Sequence, residues 1–276
     1  MRASRLALLA ALALGLAACP PPRAPPPDLS LDPARLAVQV LAAQARTRSV
    51  RGEVRIKVES AERSGTVPAL VAAEKPDRLL VQTLDFFGNT VAVLATADGN
   101  LTLYDARARV VYRGPATPEN LARLVPLPLS PAALVQIVCG SAPLVSGEPE
   151  SAEAGRGHVE LRISAGARRQ ELRIGPGADV LRSSIRVAGA AGPGTYDLEF
   201  GAFDGLEGIH FPAEVSLSAE SPRVRMRLVW VDAEPNAALD RKTFTPRIPS
   251  GAREVQLERT APPAFLAPQD APRPPE

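Results

Sequence analysis

The sequence predicts a mainly β protein of the α+β class. Its core is one strongly curved antiparallel sheet of about twelve short strands, with one helix in front and two inserted midway. Three observations predict it. Apolar and charged residues alternate with period two in the clearest segments between residues 51 and 231. Turn residues punctuate these runs at short intervals. Helical segments opened by proline occur only before the first strand and between the sixth and the seventh.

The elements follow in order. Asp32 is placed to cap a helix that has Pro33 at its first position, where a missing N–H costs nothing. Leu36, Val40 and Ala43 share one face of it, and it ends near residues 46–48. In residues 51–59, Val54, Ile56 and Val58 alternate with charged neighbours, as in a half-buried antiparallel strand. Strands follow at 66–73, 78–84, 89–97, 100–104 and 110–112, with Asp98-Gly99 forming a tight hairpin between the fourth and fifth. Thr117-Pro118-Glu119 opens a short helix to about Leu124. Ser130-Pro131 opens a second, over 132–139, that stops at Gly140. Strands resume at 158–164, 168–174, 180–187, 195–202, 210–218 and 223–231. In the last, Arg223, Arg225 and Arg227 take one face and Val224, Met226, Leu228 and Trp230 the other. The arginine stripe reads as the solvated side of the sheet.

The chain opens with Arg2, Arg5 and an apolar run over 6–14, then Leu16-Ala17-Ala18-Cys19. A basic start, an apolar stretch and small residues form a secretory signal. A cysteine directly after Leu-Ala-Ala resembles the bacterial lipobox, which implies cleavage after residue 18 and acylation of Cys19. The apolar run falls short of the ~20 residues a membrane span needs. Residues 1–18 are thus expected to be a lipoprotein signal, and 19–32 a lipidated cysteine with a proline-rich linker. Residues 33–260 form the folded domain, and 261–276 a proline-rich disordered tail. Polyproline geometry at about 3.1 Å per residue would let residues 20–27 hold the domain on the order of 25 Å off a bilayer.

Composition excludes several function classes. Of 32 basic residues the signal holds two, Arg2 and Arg5, and it holds none of the 30 acids. The remaining chain carries 30 of each and no net charge, so nucleic acid is not an expected partner. The sequence has two cysteines; with Cys19 acylated, Cys139 has no partner, and a packed core must supply the stability. His158 and His210 lie far apart, outside any metal-ligand spacing. There is no nucleophile elbow, no His-Glu-x-x-His and no P-loop, so no catalytic residue, metal or cofactor is expected. Cys139, at the end of an apolar helix, reads as a buried small hydrophobe rather than a nucleophile.

One local feature departs from ordinary surface chemistry. Between the third and fourth strands the chain reads Leu84-Asp85-Phe86-Phe87-Gly88-Asn89, a turn carrying two adjacent phenylalanines. Neighbours face opposite sides of a sheet, so one ring is expected in solvent, marking a membrane or partner contact. The alternative is a loop folded back over both rings.

The order of these signals resembles the LolA/LolB superfamily and, more closely, LolB-like lipoproteins, which also begin with a lipobox. The matching points are Arg51-Gly52 after a helix and Phe87-Gly88 before a strand over 90–94. Tyr112 then precedes Thr117-Pro118-Glu119, and Leu127-Pro128-Leu129 leads into a helix ending at Gly140. The resemblance covers about residues 33–231. It implies an open, incomplete β-barrel of 11–12 strands with helices over its concave side, and a cavity that accepts acyl chains. It further implies an outer-membrane lipoprotein, anchored on the periplasmic face, that receives or inserts lipoproteins and is not an enzyme. Its partners would be the membrane, an acylated ligand or lipoprotein and a LolA-like periplasmic carrier, with the protein itself a monomer. Phe87 matches the projecting apolar residue of the family's membrane-contacting loop, with Phe86 beside it. The cavity lining is expected from Val54, Ile56, Val58, Leu121, Leu124, Leu134 and Ile137. The alternative is a lipid-anchored structural or interaction module whose interior is simply filled.

Overall fold

A computed structural model describes residues 24–61, 64–124, 129–187, 194–206, 209–220 and 223–257. The signal segment, Cys19, Leu127 and Pro128 of the connector and the tail lie outside the described residues.

The expected first helix is α1, Pro33–Gln44, with the Asp32 carboxylate accepting from the Arg35 N–H at 2.8 Å. Six strands follow: β1 (Ser49–Ser60), β2 (Ser64–Glu74), β3 (Arg78–Leu84), β4 (Thr90–Ala97), β5 (Asn100–Asp105) and β6 (Val110–Pro115). Asp98 and Gly99 take φ values of 50° and 76°, the hairpin turn their sequence predicts. Next come α2 (Pro118–Leu124) and α3 (Pro131–Val138), opened by Thr117 and Ser130 as side-chain caps. Then run β7 (Glu148–Ala154), β8 (Val159–Ala165), β9 (Arg168–Ile174), β10 (Val180–Val187), β11 (Gly194–Leu206), β12 (Ile209–Glu220), β13 (Arg223–Pro235) and β14 (Arg253–Gln256).

The fourteen strands of the described residues belong to one sheet, in the order β14-β6-β5-β4-β3-β2-β1-β13-β12-β11-β10-β9-β8-β7. Every neighbouring pair is antiparallel except β14 with β6. Two meanders, β1–β6 and β7–β13, thus meet where β13 returns beside β1. The edges β7 and β14 stay unjoined, so the barrel is open. Two strands exceed the expected twelve. β7 reads Glu-Pro-Glu-Ser-Ala-Glu-Ala and carries no β-branched or aromatic residue; it is an edge, where charge and proline are tolerated. β14 spans only four residues beside β6.

The inner face holds a single large core. α1 packs on β7, β8 and the turn at 176–178, α3 on β2 and β3, and α2 on β5. Leu36 and Val40 of α1 join Leu121, Leu134, Val135, Ile137 and Val138 against Val54, Val71, Leu161, Leu172, Leu217 and Trp230. Buried Gln170 holds the loop between the two meanders: it accepts from the Val145 N–H and donates to Pro143 O and Ser183 Oγ at 2.8–2.9 Å. The chain after β13 turns back over the outer face. There Ile248 and Ala252 cover Val93, Tyr104 and Val111, whose period-two positions point away from the main core. Asn236 begins that strap and brackets the α1–β1 connection: it accepts from the Arg48 N–H and donates to Arg46 O, each at 2.8 Å.

Packing also begins earlier than the linker reading places it. Pro26 and Leu29 are buried. Asp28 accepts from the Gly177 N–H at 2.8 Å and from Gln39 Nε2 at 2.9 Å. The C-terminal part of the expected polyproline spacer is therefore part of the folded body.

Two glycines are required by this geometry. Gly52 lies beside a register shift between β1 and β13 at φ 152°, and a Cβ there would stand 2.1 Å from Asp232 O. Gly140 ends α3 at φ 71°, where a Cβ would stand 2.7 Å from Pro212 Cδ. Gly52→Ala is expected to lower stability by at least about 2 kcal/mol, because backbone must shift at the central strand pair. A urea midpoint equal to wild type would show that this contact relaxes freely.

Cys139 gives a second test. Its thiol is buried, and burial pushes it up to about 12. In a chain with Cys19 replaced by Ser, an aqueous thiol reagent at pH 8 is expected to leave Cys139 unmodified in the native protein. It should modify one equivalent in denaturant. The folded thiol keeps its proton up to about 12 against an ordinary value of 9.0. Its contribution to stability is therefore full below 9 and lost as pH rises toward 12.

Candidate functional site: an apolar hairpin tip at the rim of an open barrel

The strands define two rims. One carries the start of β1, the β2–β3 and β9–β10 turns and the ends of α1 and α3. There Lys75 Nζ donates to Gln44 O at 2.8 Å and Ser141 Oγ at 2.7 Å, tying α1 to the end of α3. Burial lowers the lysine pKa. The other rim carries the end of β1 and the β3–β4 hairpin.

That hairpin bears the two phenylalanines, and both are in solvent: Phe86 is 95% exposed and Phe87 83%. The expectation of one exposed ring rested on both lying in the strands. In fact β3 ends at Leu84, so neither ring faces the sheet. The turn is tightly organised beneath them. Asp85 donates its N–H to Asn89 O at 2.8 Å and accepts from the Gly88 N–H at 3.1 Å. Its carboxylate accepts from the N–H groups of Phe87 and Asn89, each at 2.8 Å, and from Asn89 Nδ2 at 3.0 Å. These donors, the Asn89 side chain first, hold the Asp85 carboxyl below the usual range. The rings pack edge to face at 5.5 Å. A polar base thus presents an apolar tip without borrowing support from the core.

The expected lining residues divide into two groups. Val54, Leu121, Leu134 and Ile137 are buried, each 6% exposed or less, within the main core. Leu124 ends α2, and its side chain lies outside the described residues. Ile56 and Val58 are only half-buried. On the neighbouring strands they face Leu228, Met226 and Val67, and Val67 is 39% exposed. The inner wall is therefore closed toward the helix rim and half-covered toward the rim that carries Phe86 and Phe87. Val67 and Met226 complete this patch; their alternation was legible, but their place at one mouth comes from register. Deeper inside, Trp230 stacks edge to face on Phe211 at 5.6 Å. Its buried Nε1 has no hydrogen-bond partner.

The outer face is chemically opposite. Arg227 makes a bidentate pair with Glu214, Arg182 reaches Asp197 and Glu199, and Arg186 reaches Glu171. Hollows of about 340 and 210 Å³ on this face are lined mainly by such groups, and a third of about 670 Å³ lies beside Lys75 and residues 236–240. Arg227 of the predicted stripe is neutralised by its neighbour, in keeping with a solvated face. His210 pairs with Asp179, and His158 lies near Glu160. Among the described residues, no cluster of three or more His, Cys, Asp or Glu could hold a metal ion. None of the described helices is long and apolar enough to cross a membrane.

No protein-family model matches the chain, and no curated protein is similar to it in sequence. Solved structures are similar in fold. A LolA superfamily protein from Nitrosomonas europaea matches at TM-score 0.55 and 10% identity, over 79% of this chain and 99% of that one. A protein domain from Vibrio parahaemolyticus, described as one for outer membrane lipoprotein sorting, matches at 0.52 and 10%, over 76% and 94%. A DUF1329 family protein from Desulfovibrio piger matches at 0.54 and 11%, over 78% and 98%. Open sheet, helices on its inner face and these matches together give this chain the LolA-like open-barrel fold.

Proposed function

We propose that this chain is a non-enzymatic, lipid-anchored envelope lipoprotein that binds acyl chains at the inner wall of its open barrel. In the manner of LolB-like proteins, it receives or inserts lipoproteins at the periplasmic face of the outer membrane. The observation that carries the reading is the rim: two exposed phenylalanines on a braced hairpin, beside an inner wall that is apolar and half-covered. The likeness in fold to lipoprotein-sorting domains and the lipobox-like Leu16-Ala17-Ala18-Cys19 support it.

The physics is transfer of methylenes. Each buried CH₂ contributes ~0.8 kcal/mol, so several must find apolar wall before a chain leaves its carrier or membrane. Ile56, Val58, Val67 and Met226 are the first wall such a chain meets. Phe86 and Phe87 meet the lipid in transit, whether it is delivered from a LolA-like carrier or passed to a bilayer.

A second reading, a tethered module with a filled interior, is favoured by the close packing of Val54, Leu121, Leu134 and Ile137. The two separate by experiment. Native mass spectrometry of the Cys19→Ser chain, gently purified, is expected to show a bound acyl lipid, and bulky substitution at Val58 or Val67 should displace it. An empty protein that also rejects an acylated peptide at high micromolar concentration would leave the filled module. Phe87→Glu should reduce transfer of an acylated peptide into vesicles by about 10–100-fold, the value of an apolar ring entering lipid. Because that side chain is exposed, the urea midpoint should stay within about 0.5 kcal/mol of wild type.

A further inference from the structure

A surface helix ordinarily places its charges on the arc away from the core. α1 does not. With Leu36 and Val40 buried, the opposite arc carries Ala34, Val38, Leu41, Ala42 and Ala45, all exposed. Val38 is 64% exposed and Leu41 53%; Leu31, just before the helix, is 54% exposed. Arg35 is the one charge in the helix and stands at the edge of this arc.

The chain leading into α1 is pinned to the body from Pro26 onward, through Asp28 with Gly177 and Gln39 and through the Ser30 N–H donating to Gln39 Oε1. Five residue steps separate Cys19 from Ala24, where the described chain begins. Covalent geometry limits them to about 18 Å. If Cys19 carries lipid, α1 is held at the membrane surface.

We propose that the outer arc of α1, centred on Leu31, Val38 and Leu41, is a seat that lies in the interfacial layer of the bilayer holding the anchor. This rests on the lipobox reading of residues 16–19. The arc is too small to anchor the protein by itself; with the lipid in place it orients the domain. Arg35 at its edge reaches headgroup phosphates while its stem stays on the apolar side. β3 has 7 residues, so the turn with Phe86 and Phe87 stands about 25 Å along the strands from the rim that carries this seat. The seated domain therefore presents its hairpin tip toward an arriving carrier for the receiving step, and passing cargo on to the bilayer requires the domain to leave this seat.

The test uses the full chain, purified from bacterial membranes, weighed for its acyl chains and reconstituted into phosphatidylethanolamine–phosphatidylglycerol vesicles. An environment-sensitive dye is placed at Val38→Cys and, in a second variant, at Arg107→Cys in the β5–β6 turn of the opposite rim; buried Cys139 stays unlabelled. The Val38 dye should be blue-shifted and shielded from an aqueous quencher, and the Arg107 dye should not. Adding Leu31→Ser and Leu41→Ser should weaken the shielding, and Cys19→Ser without lipid should leave the dye as accessible as in buffer. An acylated protein whose Val38 dye remains fully quenchable would overturn the seat while leaving the anchor standing. A mass without acyl chains would overturn both. Shielding in lipid-free protein that grows with its concentration would assign the arc to self-association instead.

Discussion

The rest of the structure depends on the pairing of β1 with β13. These strands lie about 170 residues apart in sequence, yet Val54 faces Trp230, Ile56 faces Leu228 and Val58 faces Met226. Each meander by itself is a local structure, built by hairpins that close at little entropic cost. Joining them makes a sheet wide enough to curve around three helices, and it puts the two apolar inner faces into one core. Gly52 lets this join happen beside the register shift, where Asp232 O occupies the space a side chain would need. Buried Gln170 and the bracket made by Asn236 then hold the connections at either end.

The distribution of polarity follows from that curvature. The inner face is apolar and the outer face of the second meander is a ladder of alternating arginines and carboxylates. Such exposed pairs add little stability but keep a broad sheet face soluble. The outer face of the first meander is different, because the segment after β13 crosses it and buries Val93, Tyr104 and Val111. That segment gives the half that carries the hairpin tip a covered outer face beneath Phe86 and Phe87. Asp85 braces the turn locally, so the exposed rings are presented rather than mobile by default.

Among the described residues, apart from Leu70 and Val231 on the outer face, exposed large apolar side chains gather in two separated places, a hairpin tip with its half-open wall and the outer arc of α1. Both are costly to expose to water, and in the present reading both face lipid: one as moving cargo, the other as the surface on which the domain rests. Their placement at opposite rims makes the molecule polar in the mechanical sense, with a seated end and a presenting end.

The sequence by itself determined the elements and their class. Period-two alternation marked most of the strands, proline with a side-chain cap marked each helix start, and Asp98-Gly99 marked a hairpin, because these are contests settled within a few residues. It missed β7 and β14, which are edge strands: with one side unpaired they need little apolar patterning, so they leave little signal. Phe86-Phe87 was legible as an anomaly, although the exposure of both rings was decided by where β3 stops. Tertiary structure alone decided which of Val54, Ile56 and Val58 lies deep and which at a mouth, since alternation reports a face but not a depth. It also decided that residues 236–257 cover a sheet face and that the packed body begins near Pro26 rather than at Pro33. Those facts depend on contacts between segments far apart in the chain, and no local pattern carries them.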